Sequence, residues 1–588
     1  MARDIERAYP PHVLRAYSLL ADGERGALVG PRGDIAWMCA PCWHDGALFA
    51  SLIGAESLYA VTPSDPRYVW GGRYEDGTLI WRSRRVSTTG VIECRNALAF
   101  PGDPSKVVIL RRIHAASGAA RVSAILAPGV DFGSHGLAGL EQECGLWSAR
   151  SGPLHLRFSG AGSARAVGSK RLELEIEVAE GAHHDLVLEV SERPLHDEPP
   201  EPDIAWESTE HAWAQAVLEM HVTIAADDAR QSYAVLRGMT SASGAMVAAA
   251  TMSLPERADK GRNYDYRYAW IRDQCYAGEA VAACGAFPLL DGAVRFVTGR
   301  VLSDGTSLKP AYTVTGGAVP DEHAIDLVGY PGGRDVAGNW VNDQFQLDNF
   351  GEILLLLAAA AARDRLDVEH WRAAEITVDA ISARWLEPDA GIWELQPRHW
   401  THSRLTCVAG LRAIAKVAPA AQGSSWSGLA DSIMAETASD SVHPTGRWQR
   451  TPDDERVDAS LLLAAIRGAV PASDPRSVAT LDAVRHDLGR QGYVYRFRQD
   501  SRALNQAEGA FLLSGFHMAM AVHQQGRHTE AMRWFERNRA ACGSPGLFTE
   551  EYDIEQRQLR GNYPQAFVHA LLIESAKRLA EPTTEPMT

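Results

Sequence analysis

The chain has 588 residues, 46% hydrophobic and 22% charged, an ordinary balance for a globular protein. A single core rarely grows past about 250–300 residues, so two or more domains are expected. The 58 basic and 74 acidic residues leave a net charge of −16, and such a surface repels phosphate backbones, so no nucleic-acid partner is expected.

Residues 1–11 carry arginines and acids but no apolar stretch, so no signal peptide is expected. The longest apolar run, residues 353–362, is half of the roughly twenty that a membrane span needs. No membrane partner and a cytoplasmic address follow by default. GALVGPRG, residues 26–33, is glycine-rich but lacks the strand–helix setting of a phosphate loop, and reads as a turn between early strands. Of the eight cysteines only Cys39 and Cys42 share a Cys-x-x-Cys spacing. One pair without a second reads as ordinary buried thiols rather than a zinc site. Strand patterns follow. Residues 106–113 are rich in Val and Ile. LHLRF (154–158) and RLELEIEV (171–178) alternate in polarity as half-buried strands must. Glycine-rich turns such as SGAGSARAVGS separate them, which predicts a sandwich.

The composition then shifts. PLHDEPPEP (194–202) is acidic and proline-rich, as linkers are. From about Trp206 the pattern is helical. Residues 352–363, 510–523 and 567–579 are apolar nearly all round, so they read as buried helices. Inner and outer helices alternating in a closed ring would bury them so. No fixed-period repeat argues for a solenoid. The division expected is an N-terminal antiparallel β-sandwich over 1–195, a linker with a helical segment over 196–235, and a helical barrel over 236–582.

Nucleotide, zinc-protease and serine-hydrolase signatures do not occur. What stands out is Trp and Tyr, 16 of each, interleaved with carboxylates. Aromatic faces stack on sugar rings while carboxylates and arginines bond the hydroxyls. RNYDYRYAWIRD (262–273) packs four aromatics, three arginines and two aspartates together. As a solvated helix it would waste its aromatics. PDAGIWELQPRHWTH (388–402) sets Glu394 beside Trp393, with Gly391 marking a loop. A carboxyl beside an indole is partly desolvated, which favours the protonated form that a general acid needs. LFTEEYD (547–553) and GNYPQAF (561–567) bring two adjacent glutamates, Glu550 and Glu551, which cannot both enter one pocket from a loop. Glycoside hydrolysis needs two carboxyl groups, one protonated and one ionised. Glu394 suits the acid, and a glutamate of the third segment suits the base.

At these segments the sequence resembles glycoside hydrolase family 15, the glucoamylase and trehalase family. The opening block GALVGPRGDIAWMCAPCWHDGALFASLIG, then RNYDYRYAWIRD, QFQLDNFGE, PDAGIWE, VDASLLL, AEGAFLL and LFTEEYD with GNYPQAF occur in that family's order. The resemblance implies an N-terminal β-sandwich followed by an (α/α)6 barrel. It implies Glu394 as acid, Glu550 as base, and Glu551 beside it to hold a sugar hydroxyl or the loop. It implies that Arg272 and Asp273 grip the terminal glucose, that Tyr266 stands near the attacking water, and that Trp270 and Trp393 wall the pocket. Arg496 is a further sugar contact on the same ground. Two blocks depart from the pattern: a tryptophan after the acid is replaced by Val408, and RDVAGN (334–339) is one residue short and lacks an arginine. These bear on linkage specificity.

The implied activity is inverting, exo-acting release of β-glucose from a small soluble α-glucoside such as trehalose or a malto- or isomalto-oligosaccharide. No cofactor and no metal are implied, and a homo-oligomer is compatible with the sequence. Two alternatives differ in class. A phosphorylase or lyase on the same barrel would not need Glu550, and a non-catalytic sugar-binding relative would have lost one glutamate.

Overall fold

The computed structural model describes residues 8–168, 170–257, 262–499 and 501–582; residues 1–7, part of the stretch read for a signal peptide, lie outside them. The N-terminal domain is two antiparallel sheets of eight strands. One runs, in spatial order, Ser18–Ala21, Gly26–Val29, Asp34–Cys39, Leu58–Pro63, Ala120–Ala127, Arg171–Val178 and Arg165–Val167, with Ala47–Phe49 added beside Asp34–Cys39. The other runs Leu137–Glu143, Leu146–Ser151, Leu154–Ser159, His183–Ser191, Lys106–Ser117, Val91–Leu98, Trp81–Val86 and Val69–Tyr74. Alternation does what it should: Leu172, Leu174, Ile176 and Val178 are buried. The sheets face each other, with Tyr59 of the first edge-on to Phe158 of the second at 5.7 Å. Arg111 crosses the same core. Its buried guanidinium is matched by Asn96 Oδ1 (2.9 Å) and the carbonyls of Tyr59 (3.0 Å) and Gly33 (2.5 Å), which offsets desolvation. GALVGPRG is only half a turn: Gly26–Val29 is a strand, and the chain reverses over 30–33.

Helix α1 (Pro202–Ala216) follows the proline-rich segment, with Glu201 capping its first turn. Next comes α2 (Ala226–Gly238), at the end of the stretch expected as linker. The remaining barrel helices are α3 (Ile271–Ala283), α4 (Phe287–Asp304), α5 (Asp348–Ala361), α6 (Val368–Arg384), α7 (Thr401–Ala415), α8 (Ala420–Asp440), α9 (Leu463–Ile466), α10 (Pro475–Leu488), α11 (Leu512–Gln524), α12 (His528–Arg539) and α13 (Ala566–Ala580). Among the described residues α3, α5, α7, α9, α11 and α13 pack in sequence, and α13 closes on α3. Outside them stand α4, α6, α8, α10, α12 and, against α13, α2. This is the (α/α)6 barrel. Two helix limits differ from expectation. Ala510 and Phe511 pair as a strand with Tyr552 and Glu551, so α11 starts at Leu512. Helix α5 starts four residues early, at Asp348, and ends at Ala361. Among the described residues no helix is long and apolar enough to cross a membrane.

The barrel interior is partly ionic. Arg272, Tyr276 and Glu279 recur at helical spacing on α3, as do Asp348 and Glu352 on α5, so each set shares one helix face. Arg467, after α9, lies 2.5 Å from Glu574 of α13 and 3.4 Å from Glu279. Burial pushes Asp348 up to about 6 and Glu279 up to about 7. Glu574, held by Arg467 and Arg578, falls to about 2.

Candidate active site

A cleft of about 900 Å³, counted with its open mouth, lies where loops enter α3, α7, α11 and α13. That size suits a small-molecule ligand.

One wall is RNYDYRYAWIRD, which is extended up to Trp270 and helical only from Ile271. It is held by Ser253 N donating to Tyr264 O (2.9 Å) and by Ala249 N and Ala248 N donating to Tyr266 O and Tyr268 O (2.9 and 2.8 Å). Side chains of an extended segment alternate. Tyr264, Tyr266 and Trp270 line the cleft, the two tyrosines stacked at 6.2 Å and Trp270 edge-on to Tyr266 at 5.6 Å. Asp265 and Arg267 turn the other way and pair at 2.6 Å. Arg267 reaches the sandwich, donating to Asp45 O (2.6 Å) and Cys39 Sγ (3.3 Å).

Glu394 stands on the loop before α7, and its backbone is left-handed at φ +54. Such a conformation strains a non-glycine residue and persists only where the surroundings hold it. Here they do. Buried Asp389 accepts from Gly391 N (2.7 Å) and Ser403 Oγ (2.9 Å), and Trp400 Nε1 donates to Asp389 O (2.8 Å). Gly391 itself needs φ +66, and a Cβ there would meet the Trp400 ring at 2.8 Å. The indole that meets the Glu394 carboxyl is not its neighbour in sequence. Trp270 Nε1 donates to Glu394 Oε1 at 2.8 Å, while Trp393 lines the cleft and donates to Asp458 Oδ1 at 2.8 Å.

Arg272 and Asp273, in the first turn of α3, both line the cleft. Their closest approach is 3.6 Å, because the guanidinium is shared: it also reaches Glu394 (3.5 Å), Ile392 O (3.1 Å) and Gln346 Oε1 (3.4 Å). Asp273 Oδ1 is buried with no hydrogen-bond partner. Burial, eased by Arg272, lifts its carboxyl to about 7.

The two adjacent glutamates diverge because they sit at a strand, Glu551–Asp553, rather than on a loop. Glu550 lines the cleft and accepts from Tyr266 OH at 3.1 Å. Glu551, expected as a sugar contact, is fully buried behind it. It accepts from Gly509 N (2.8 Å) and Arg496 Nη2 (3.3 Å). Arg496 lines the cleft, yet its guanidinium is committed to Glu508 at 2.6 Å and Glu551. Burial pushes both Glu550 and Glu551 well above the usual carboxylate range, and the Glu256 charge adds to it.

Several lining residues were missed from sequence: Glu256, Tyr264, Asn339, Gln499 and Trp340, which is 45% exposed at the mouth. For Tyr264 the signal was period-two alternation within RNYDYRYAWIRD. For Glu256 and Trp340 no local density of aromatics and acids marks the spot. Val408 is buried in α7, and Asn339 is the one residue of RDVAGN that reaches the cleft.

Residues 229–577 match the family described as Glycosyl hydrolases family 15, and residues 7–191 match one described as Trehalase-like, N-terminal. A protein named Trehalase from Mycobacterium tuberculosis is 28% identical over 97% of this chain and 90% of its own length. One named Isomaltose glucohydrolase, from Kribbella flavida, is 31% identical over 46% of this chain and 69% of its own. A solved bacterial glucoamylase complexed with acarbose is similar in fold, with a TM-score of 0.71 at 14% identity over 97% of this chain and 96% of that one.

Proposed function

This chain belongs to glycosyl hydrolase family 15, and on that premise we propose that it hydrolyses trehalose with inversion, Glu394 acting as general acid and Glu550 as general base. The observation that carries the reading is the pairing of these two carboxyls in one cleft, each bonded to an aromatic donor from RNYDYRYAWIRD. Trp270 N–H and Arg272 hold the Glu394 carboxyl in the position from which it protonates the glycosidic oxygen. On the other side Glu550 takes a proton from water as that water attacks the anomeric carbon. Its raised proton affinity makes it a stronger base than a solvated carboxylate. Asp273 Oδ1 accepts no hydrogen bond within the protein, its nearest cation being Arg272 at 3.6 Å, and so can accept from a hydroxyl of the terminal glucose. Arg262, Arg272 and Arg496 are all engaged with protein oxygens, which speaks against a phosphate pocket and so against a phosphorylase.

Trehalose is preferred because the trehalase-like N-terminal match and the mycobacterial trehalase together span nearly the whole chain. An α-1,6 disaccharide is the second reading, favoured by the relative named isomaltose glucohydrolase. Proton NMR in the first minutes of trehalose cleavage tests both mechanism and substrate. Inversion yields equal α- and β-glucose, since the leaving glucose keeps its own anomeric bond. Only α-glucose would mean retention. Faster glucose release from isomaltose, maltose, kojibiose or nigerose would move the substrate.

A further inference from the structure

The water side of the cleft holds more acid than one general base needs. Glu256, Glu508, Glu550 and Glu551 are all buried. Among the described residues the cations that pair with them are Arg262 and Arg496. If every group were ionised, four carboxylates would face two guanidinium groups, and buried charge of that kind is relieved by keeping a proton. The contacts indicate where. Arg496 Nη2 lies 2.6 Å from Glu508 and 3.3 Å from Glu551, but 3.7 Å from Glu256. Arg262 reaches Glu508 at 3.3 Å. Among the described residues Glu550 has no ion pair. Tyr266 OH links it to Glu256, lying 3.1 Å from Glu550 Oε1 and 3.4 Å from Glu256 Oε1.

We propose that Glu256 is a positioning residue for Glu550: with Tyr266 it clamps the carboxyl facing the substrate. This rests on the reading of Glu550 as base. The local fold brings them together. Glu256 N donates to Arg262 O (3.1 Å), and Ser253 N to Tyr264 O, so residues 252–257 run antiparallel to 262–265 and set Glu256 beside Arg262, within reach of the Tyr266 hydroxyl further along the same segment. On the far side a Cβ at Gly561, where φ is +85, would lie 3.4 Å from Glu550 Cγ and 3.7 Å from Glu256 Cγ, so that backbone backs both side chains.

During the reaction the water oxygen bonds to the anomeric carbon, and its proton goes to Glu550. The glycosidic C–O bond breaks with its electrons on the leaving oxygen, which takes the Glu394 proton. Proton exchange with solvent resets both sides. The groups facing Glu256 are Tyr264, Tyr266, Arg496, Glu550 and Glu551. Burial raises the proton affinity of Glu550 and the Glu256 charge adds to it, so Glu256 contributes to the position of the acid limb of the pH profile.

The test is Glu256→Gln and Glu256→Asp in the full chain, with glucose binding by calorimetry and thermal melting as controls. For Glu256→Gln, kcat on trehalose should fall about 10–100-fold, a part of what general base catalysis supplies. Its acid limb in kcat/KM should move to lower pH by about one unit, because the amide removes a like charge. Glu256→Asp keeps the charge and loses the reach, so kcat should fall with the limb unmoved. Wild-type kcat in both variants would overturn the proposal. So would a loss in Glu256→Gln with an unmoved limb, which a merely structural role predicts. The reading of Glu550 stands or falls separately: a Glu550→Gln enzyme with wild-type turnover would end it whatever Glu256 does.

Discussion

Exchanging Glu550 and Glu551 for glutamine, one at a time, separates two neighbours that the strand sends in opposite directions. Glu550→Gln keeps the shape and can still accept from Tyr266 OH, whose bond at 3.1 Å is the contact fixing the side chain in the cleft. What it loses is the ability to take a proton. General base catalysis is worth about 10²–10⁴-fold, which is about 3–5 kcal/mol of transition-state stabilisation at 1.36 kcal/mol per tenfold. Nearly all of that should appear in kcat. Glu551→Gln retains an acceptor for Gly509 N, and Arg496 keeps Glu508 at 2.6 Å. The kcat of Glu551→Gln should stay within about tenfold of wild type, the size of one ordinary hydrogen bond. The assay is steady-state glucose release from trehalose, with glucose affinity by calorimetry and thermal melting to exclude misfolding. A dead Glu551→Gln beside an active Glu550→Gln would refute the assignment and make Glu551 the base.

Trp270→Phe keeps the ring beside Tyr266 and deletes the N–H donated to Glu394. Bonds to charged groups are worth about 1.5–3 kcal/mol, so kcat should fall about 10–150-fold with KM changed little; an unaltered kcat would show that the bond plays no part in the rate. Asp273→Asn should lower kcat/KM by a similar factor, since its buried oxygen without a hydrogen bond is the proposed hydroxyl acceptor, and full efficiency on trehalose would sink that role. Asp348→Asn concerns stability. Asp348 is lifted by burial to about 6, so the native state binds the proton more tightly than the unfolded chain, and stability is lost as pH rises from about 4 to 6. The ionised group costs about 3 kcal/mol above that window. Urea midpoints should therefore show the variant gaining on wild type between pH 4 and 7, and a pH-independent difference would contradict the shift.

Sequence patterns reached the parts of the molecule that are local. RLELEIEV is a strand over Arg171–Val178 because its alternation suffices to bury one face. Glu394, Glu550, Tyr266 and Arg272 were legible because aromatics and acids crowd into short segments. What failed was direction. Trp393 adjoins Glu394 in the chain, yet the left-handed turn at Glu394 leaves it to Trp270, more than a hundred residues away, to meet the carboxyl. Glu256 reaches the site only through tertiary pairing, so nothing in its own segment announces it, and Glu508 sits in AEGAFLL without a pattern that gives it a role. Ala510 and Phe511 read as helix from their apolar run, and partnership with Glu551 and Tyr552 overrides that propensity.

The extended segment bearing Tyr266 and Trp270 is stapled to the sandwich from behind. Arg267 reaches Asp45 and Cys39, and Trp37 Nε1 donates to Ala250 O at 2.8 Å. Cutting the chain near residue 226 would therefore not release a minimal enzyme. It would bare a buried cation, loosen the alternation that aims the aromatics, and slacken the hold on both glutamates. For domain shuffling, the two halves make one inheritable unit: a barrel grafted onto a foreign sandwich needs that sandwich to offer a carbonyl where Asp45 does and an indole where Trp37 does.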